Sequence, residues 1–178
     1  MILYHGTTCK RAQKIFEDKT IKKDCTRFFT EEENGSGYST DGYIYLTNEI
    51  TFALHFAYCH SLVDKSDVLV VFRIDIPDEL ILPDYDEMRH QDPTGIDQEQ
   101  YNDDLSCSLL EFKACRIKID ISFDKYNVDY FYFDVNDVDN ISDLFDNVGC
   151  NYEYAVSHYT RKQKEFIKAI QWMHTYNL

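Results

Sequence analysis

Apolar and polar positions divide the chain into short strands and a few helices. Ile2 to His5 is a compact apolar run that predicts a strand, and Gly6-Thr7-Thr8 follows it. A helix is expected from about Cys9 to Glu17, with Cys9, Ala12, Ile15 and Phe16 on its buried side. Residues 18 to 41 have no period, and the polar, glycine-bearing Glu31 to Gly37 predicts a mobile loop. In Gly42 to His60, Tyr43 and Tyr45 share one face of a short strand, with Ile44 and Leu46 on the other. Thr47 or Asn48 is positioned to cap the next helix, and Glu49 suits its positive end. Ile50, Ala53, Leu54, Ala57 and Tyr58 then recur at helical spacing.

Asp67 to Ile76 is rich in β-branched residues and predicts a central strand that Pro77 ends. Ile81 to Pro83 is a short extended piece running into the acidic loop Asp84 to Glu87. Residues 88 to 106 are expected to form a long surface loop with one helical turn at most. Leu109 to Ile121 predicts one or two strands, because Ile117, Ile119 and Ile121 alternate with Lys118 and Asp120. Val128 to Val135 predicts another, and Ile141, Leu144 and Phe145 mark a short helix. Thr160 to Tyr176 predicts an amphipathic helix with Phe166, Ala169, Ile170 and Met173 on its apolar face. Strand-helix-strand-helix followed mostly by strands indicates an α+β fold. No repeat or linker divides the chain, so 1–178 reads as one domain, with 128–178 a candidate C-terminal extension.

Composition narrows the classes. The 178 residues suffice for one core, and no apolar run is long enough to cross a bilayer. Met1 leads straight into Ile2-Leu3-Tyr4-His5 with no signal segment, so a cytoplasmic location is expected, or delivery into a target cell by an unconventional route. The six cysteines are scattered without a Cys-x-x-Cys pair, which predicts reduced thiols and no metal. A net charge of −14 argues against non-specific nucleic-acid binding and against a membrane partner. Residues 1 to 27 run the other way, with seven Lys or Arg against three Asp or Glu. That makes either a phosphate-attracting patch beside His5 or a solvated helix face.

His5-Gly6-Thr7 is the first candidate chemistry. A glycine lets a ligand approach the backbone, whose N–H and C=O match a carboxamide, and the neighbouring imidazole can bond a ribose hydroxyl. Tyr45 could stack on a cationic nicotinamide ring for about 0.5–2 kcal/mol, with Tyr43 competing from the same face. The competing reading is that both rings are core filler, a common role in a chain with 14 tyrosines. Breaking a glycosidic bond leaves an oxocarbenium-like sugar, which a carboxylate bonded to the ribose 2′-hydroxyl would stabilise. Glu111, in Leu110-Glu111-Phe112 where a loop is expected to enter a strand, is the chosen carboxylate; Glu87, Glu99 and Glu79 are the alternatives.

Leu3-Tyr4-His5-Gly6-Thr7-Thr8, followed by Gly42-Tyr43-Ile44-Tyr45-Leu46-Thr47 and an alanine-bearing helix, resembles the first two motifs of the ADP-ribosyltransferase superfamily. It is most similar to the PARP/diphtheria-toxin-like branch, whose sites use His, Tyr and Glu. The resemblance covers roughly the first 120 residues. It implies a split sheet with NAD as substrate in the cleft. It assigns the adenine-side ribose to His5, the nicotinamide amide to the Gly6 backbone, stacking to Tyr45 and catalysis to Glu111. The implied activity is mono-ADP-ribosyl transfer to a protein or nucleic-acid acceptor. A toxin with an antitoxin or immunity partner, a secreted effector and a phage protein all fit that activity. An NAD glycohydrolase on the same scaffold is one alternative. RNA 2′-phosphotransferases share the His-Gly-Thr opening, but they carry histidine at the Tyr45 position and need arginines for RNA. A catalytically inactive acidic interaction protein is the third alternative.

Overall fold

A computed structural model describes residues 1–24, 39–92, 105–137, 141–144 and 160–177. The predicted Glu31 to Gly37 loop, Glu99 and Phe145 lie outside the described residues. The chain begins with strand β1 (Ile2–Thr8), helix α1 (Cys9–Asp18) and strand β2 (Thr20–Ile21). Strand β3 (Ile44–Thr47), helix α2 (Ile50–Asp64) and strand β4 (Val68–Asp75) follow. Next come β5 (Leu82–Pro83), α3 (Tyr85–Gln91), α4 (Leu105–Leu110), β6 (Ala114–Ile117) and β7 (Ile121–Ser122). Strand β8 (Val128–Asp134), helix α5 (Arg161–Ala169) and strand β9 (Met173–His174) complete the order.

Seven strands form one sheet in the order β5-β6-β3-β1-β4-β8-β9, and β2 pairs with β7 separately. Every registered pairing is antiparallel. The mixed α+β class is therefore as expected. β1 pairs with β4 over its whole length, from Ile2↔Asp75 to Thr8↔Leu69. Its other neighbour, β3, registers a single pair, Tyr4↔Thr47. The sheet thus loses its ladder between β1 and β3 just where His5-Gly6-Thr7 begins.

Alternation sends the two faces to two cores. Leu3, Ile44, Leu46, Val70, Phe72, Ile74 and Ile117 face the side covered by α1 and the small β2-β7 sheet. Leu69, Val71, Phe131 and Phe133 face α2, which adds Ile50, Ala53, Leu54 and Ala57. The first turns of α2 are buried all round, from Ile50 to Leu54, whereas Leu62 and Val63 near its end are exposed. Strand β8 contributes to both cores and runs along β4, so residues 128–134 are built into the sheet. Among the described residues no disulfide joins Cys9, Cys59, Cys107 or Cys115, and no helix is long and apolar enough to cross a membrane.

Several boundaries differ from the sequence pattern. Leu109 to Ile121 is not strand throughout: α4 runs to Leu110, and β6 begins only at Ala114 after a turn with Lys113 at φ 56°. Ser108 explains the break, since its buried hydroxyl donates to the Ala114 carbonyl at 2.7 Å and folds the helix back onto the strand. The acidic loop after Pro83 is helix α3, because the Asp84 carboxylate accepts the N–H groups of Asp86 and Glu87. Residues 18 to 41 include β2. Neither Thr47 nor Asn48 caps α2; Glu49 holds that position, Thr47 Oγ1 accepts the Glu49 N–H, and the Asn48 amide donates to Leu109 O. The last helix starts where expected, with a Thr160–Gln163 capping box, but ends at Ala169. Phe166 and Ile170 face the core as expected, but Ala169 and Met173 are exposed, and Gln163, Ile167 and Trp172 face inward in their place.

Candidate functional site

His5 lies opposite Phe72 on β4, so its ring belongs to the α1 face of the sheet. The imidazole reaches across to β3 where the β1–β3 ladder stops, with Nδ1 3.0 Å from the Tyr45 carbonyl oxygen. That carbonyl only accepts, so Nδ1 carries the proton and Nε2 keeps its lone pair. Burial lowers the His5 pKa below its ordinary 6.5, against the raising effect of this bond, and the ring is neutral at pH 7. A neutral imidazole presenting Nε2 can accept a hydroxyl proton.

Gly6 is needed for a different reason from the one expected. A Cβ there would sit 1.7 Å from the Ala53 carbonyl oxygen and 2.6 Å from its carbon. These are backbone atoms of α2, so the glycine lets a helix lie directly on the strand, and α2 fills the space on that face. Thr7 is buried on the His5 face, and Thr8 caps α1 by accepting the Arg11 N–H. Three of the basic residues in the patch are paired within the protein. Arg11 grips Asp64 with Nε at 2.6 Å and a second nitrogen at 3.1 Å, Thr8 donates to the same carboxylate, and Lys22 and Lys23 pair with Asp18 and Asp24.

Tyr45 pairs with Arg116 and lies between Ile44 and Leu46, so its ring points to the α2 face, opposite His5. The expected convergence of both side chains in one crevice is not what the sheet builds, because strand pleating separates them. The phenol donates to the Asp86 carboxylate, with the Thr40 carbonyl at 3.0 Å as a second acceptor. Burial first, then Asp86, holds the phenol well above its ordinary pKa of 10.0. Tyr43 does not offer its ring to an external cation alone: the Arg116 guanidinium sits 4.1 Å from its centroid, and Tyr85 flanks the same group at 5.4 Å.

Glu111 is exposed in the turn after α4, not at the start of a strand, and its N–H closes the helix onto Cys107 O. Glu79 is exposed in a short 3₁₀ turn. Glu87 is the expected alternative that reaches the tyrosines' neighbourhood; it sits on α3 beside Asp86, takes a hydrogen bond from Gln91, and is pushed up by burial. Asp84 is buried deeper still, and burial pushes it up to about 8.

Asp86 and Arg116 are functional-site candidates that pattern reading missed. Arg116 Nη1 donates to Asp86 at 3.3 Å, both side chains are about one-tenth exposed, and Arg116 Nε is buried with no hydrogen-bond partner among the described residues. The signals were present: an arginine inside the apolar run Phe112 to Ile117, and Pro-Asp before an acidic first turn, which is a helix start. A separate cavity of about 370 Å³ is lined by Ile2, Tyr4, Arg73, Asp75, Asn127 and Asp129, and by none of the expected site residues. Compared with known proteins, the chain matches no family model, no curated protein and no solved structure.

Proposed function

We propose that the chain is an NAD-dependent mono-ADP-ribosyltransferase that transfers ADP-ribose to a protein or nucleic-acid acceptor. One observation carries the reading. His5-Gly6-Thr7 and the Ile44–Thr47 strand, some forty residues apart, are sheet neighbours that register a single pair, and the neutral His5 imidazole bonds across to the Tyr45 carbonyl. In the reaction, the bond between the ribose carbon and the nicotinamide nitrogen breaks, and its electron pair leaves with nicotinamide. The acceptor's lone pair forms the new bond, and its proton passes to a carboxylate. Glu111 is that carboxylate in the sequence resemblance, and Glu87 lies nearer the tyrosines.

Incubation with labelled NAD and a cell lysate, followed by separate protease and nuclease digestion, tests the activity and identifies the acceptor. Glu111→Gln should reduce labelling by at least about 100-fold with an unchanged melting temperature, as loss of a group acting in the transition state does. Full labelling by that variant, together with loss in Glu87→Gln, would move the catalytic role to α3. Nicotinamide release without any acceptor would favour the glycohydrolase. A second reading is an acidic interaction protein that keeps the fold without the chemistry. The opposed faces of His5 and Tyr45 and the exposed turn holding Glu111 favour it. Failure of NAD at millimolar concentration to raise the melting temperature would support that reading, since a ligand of the native state must stabilise it.

A further inference from the structure

We infer that Asp86 is a positioning residue for Tyr45: its carboxylate fixes the phenol, and through it the ring, on the part of β3 that borders the His5 strand. This rests on the reading just proposed and adds to it the group that makes Tyr45 rigid. Asp86 gathers donors from three separate parts of the chain. The Tyr45 hydroxyl comes from β3, and Arg116 Nη1 from β6 at 3.3 Å. The Thr40 N–H at 2.7 Å and hydroxyl at 2.9 Å come from the segment leading into β3. A carboxylate one-tenth exposed keeps its charge only when paired and bonded in this way. Arg116 is itself anchored there by cation–π contacts, with its guanidinium 4.1 Å from the Tyr43 ring centroid and 5.4 Å from that of Tyr85. The phenol therefore has a charged acceptor whose own position is fixed by α3, and a hydrogen bond to a charged group is stronger and more directional than a neutral one. A tyrosine held so is a fixed ring face, not a carrier of protons.

The bland alternative is that Asp86 only ties the segment before β3 to α3. A double-mutant cycle on NAD turnover separates the two. Tyr45→Phe and Asp86→Asn should each raise KM for NAD by about tenfold, the size expected for one charge-assisted bond, while kcat stays within about twofold. The double variant should be no worse than either single one, because both remove the same tether. Additive losses would overturn the inference, as would a Tyr45→Phe protein with the wild-type KM. Should Asp86→Asn not fold, Tyr45→Phe alone still decides, since it deletes only the hydroxyl, with its bonds to Asp86 and the Thr40 carbonyl, and leaves the Thr40 and Arg116 bonds to Asp86 in place. A wild type that turns over NAD alongside unaffected variants removes this inference and leaves the proposed function. A wild type that neither binds nor cleaves NAD removes both.

Discussion

Asp84 shows how a single side chain is pulled two ways. Its carboxylate caps α3 by accepting two backbone N–H groups, which favours the charged form. Burial opposes that and wins, with Asp86 and Glu87 adding like charge nearby, so the group titrates near 8 instead of 3.8. The folded protein therefore binds this proton more tightly than the unfolded chain does. Its stabilising effect is complete below pH 4 and is lost as the pH rises from about 4 through 8. His60 acts at the other end. Burial, reinforced by Arg11 and His5, lowers it to about 4, so acidification below 6.5 favours the unfolded chain. Urea midpoints measured from pH 5 to 9 should fall on the alkaline side, and Asp84→Asn should flatten that limb while preserving the cap acceptor. An unchanged alkaline limb in the variant would place the loss elsewhere.

Elements were legible where a local pattern and the tertiary demand agreed. β1, β4 and β8 are apolar and β-branched or aromatic, and each emerged within one to three residues of its expected ends. Helix α1 has its cap and its buried stripe in sequence. Misreadings arose where a long-range contact overrode the pattern. Ser108 turns α4 onto β6, and Trp172 draws the chain after Ala169 into an extended strap across β1 and β4. Neither contact has a signature in local spacing. For the site, His5 and Tyr45 were correctly placed on neighbouring strands, but which face each ring takes depends on pairing register, which periodicity alone does not supply. Gly6 is the sharpest element-scale case. Gly6→Ala would drive a methyl group into the α2 backbone, and separating helix from strand should cost about 1–3 kcal/mol or more. Equilibrium denaturation measures this directly, and a cost near zero would mean that α2 does not rest on β1 as described.

At the scale of the whole molecule, the two cores are closed by opposite ends of the chain. The α1 face is sealed by α1 and β2 from the start of the chain, with β7 and Phe123, whereas the α2 face needs Phe166, Ile167, Ile170 and Trp172 from the end. Trp172 stacks on Tyr4 with centroids 6.1 Å apart, meets Phe131 edge-on at 5.1 Å, and carries the Arg73 guanidinium 4.4 Å from its ring. Arg73 in turn binds Asp129, which also takes His174 from β9. The strap therefore joins β1, β4 and β8 across their shared face, and the last segment behaves as part of the fold. Trp172→Ala removes the aromatic centre of this arrangement and should cost about 3 kcal/mol, the lower end for a large aromatic, because the ring is only partly buried. Unfolding should remain a single transition, since both cores share the strands β4 and β8. A variant with wild-type stability, or one that splits unfolding into two steps, would show instead that the end of the chain is an appendage on a core complete without it.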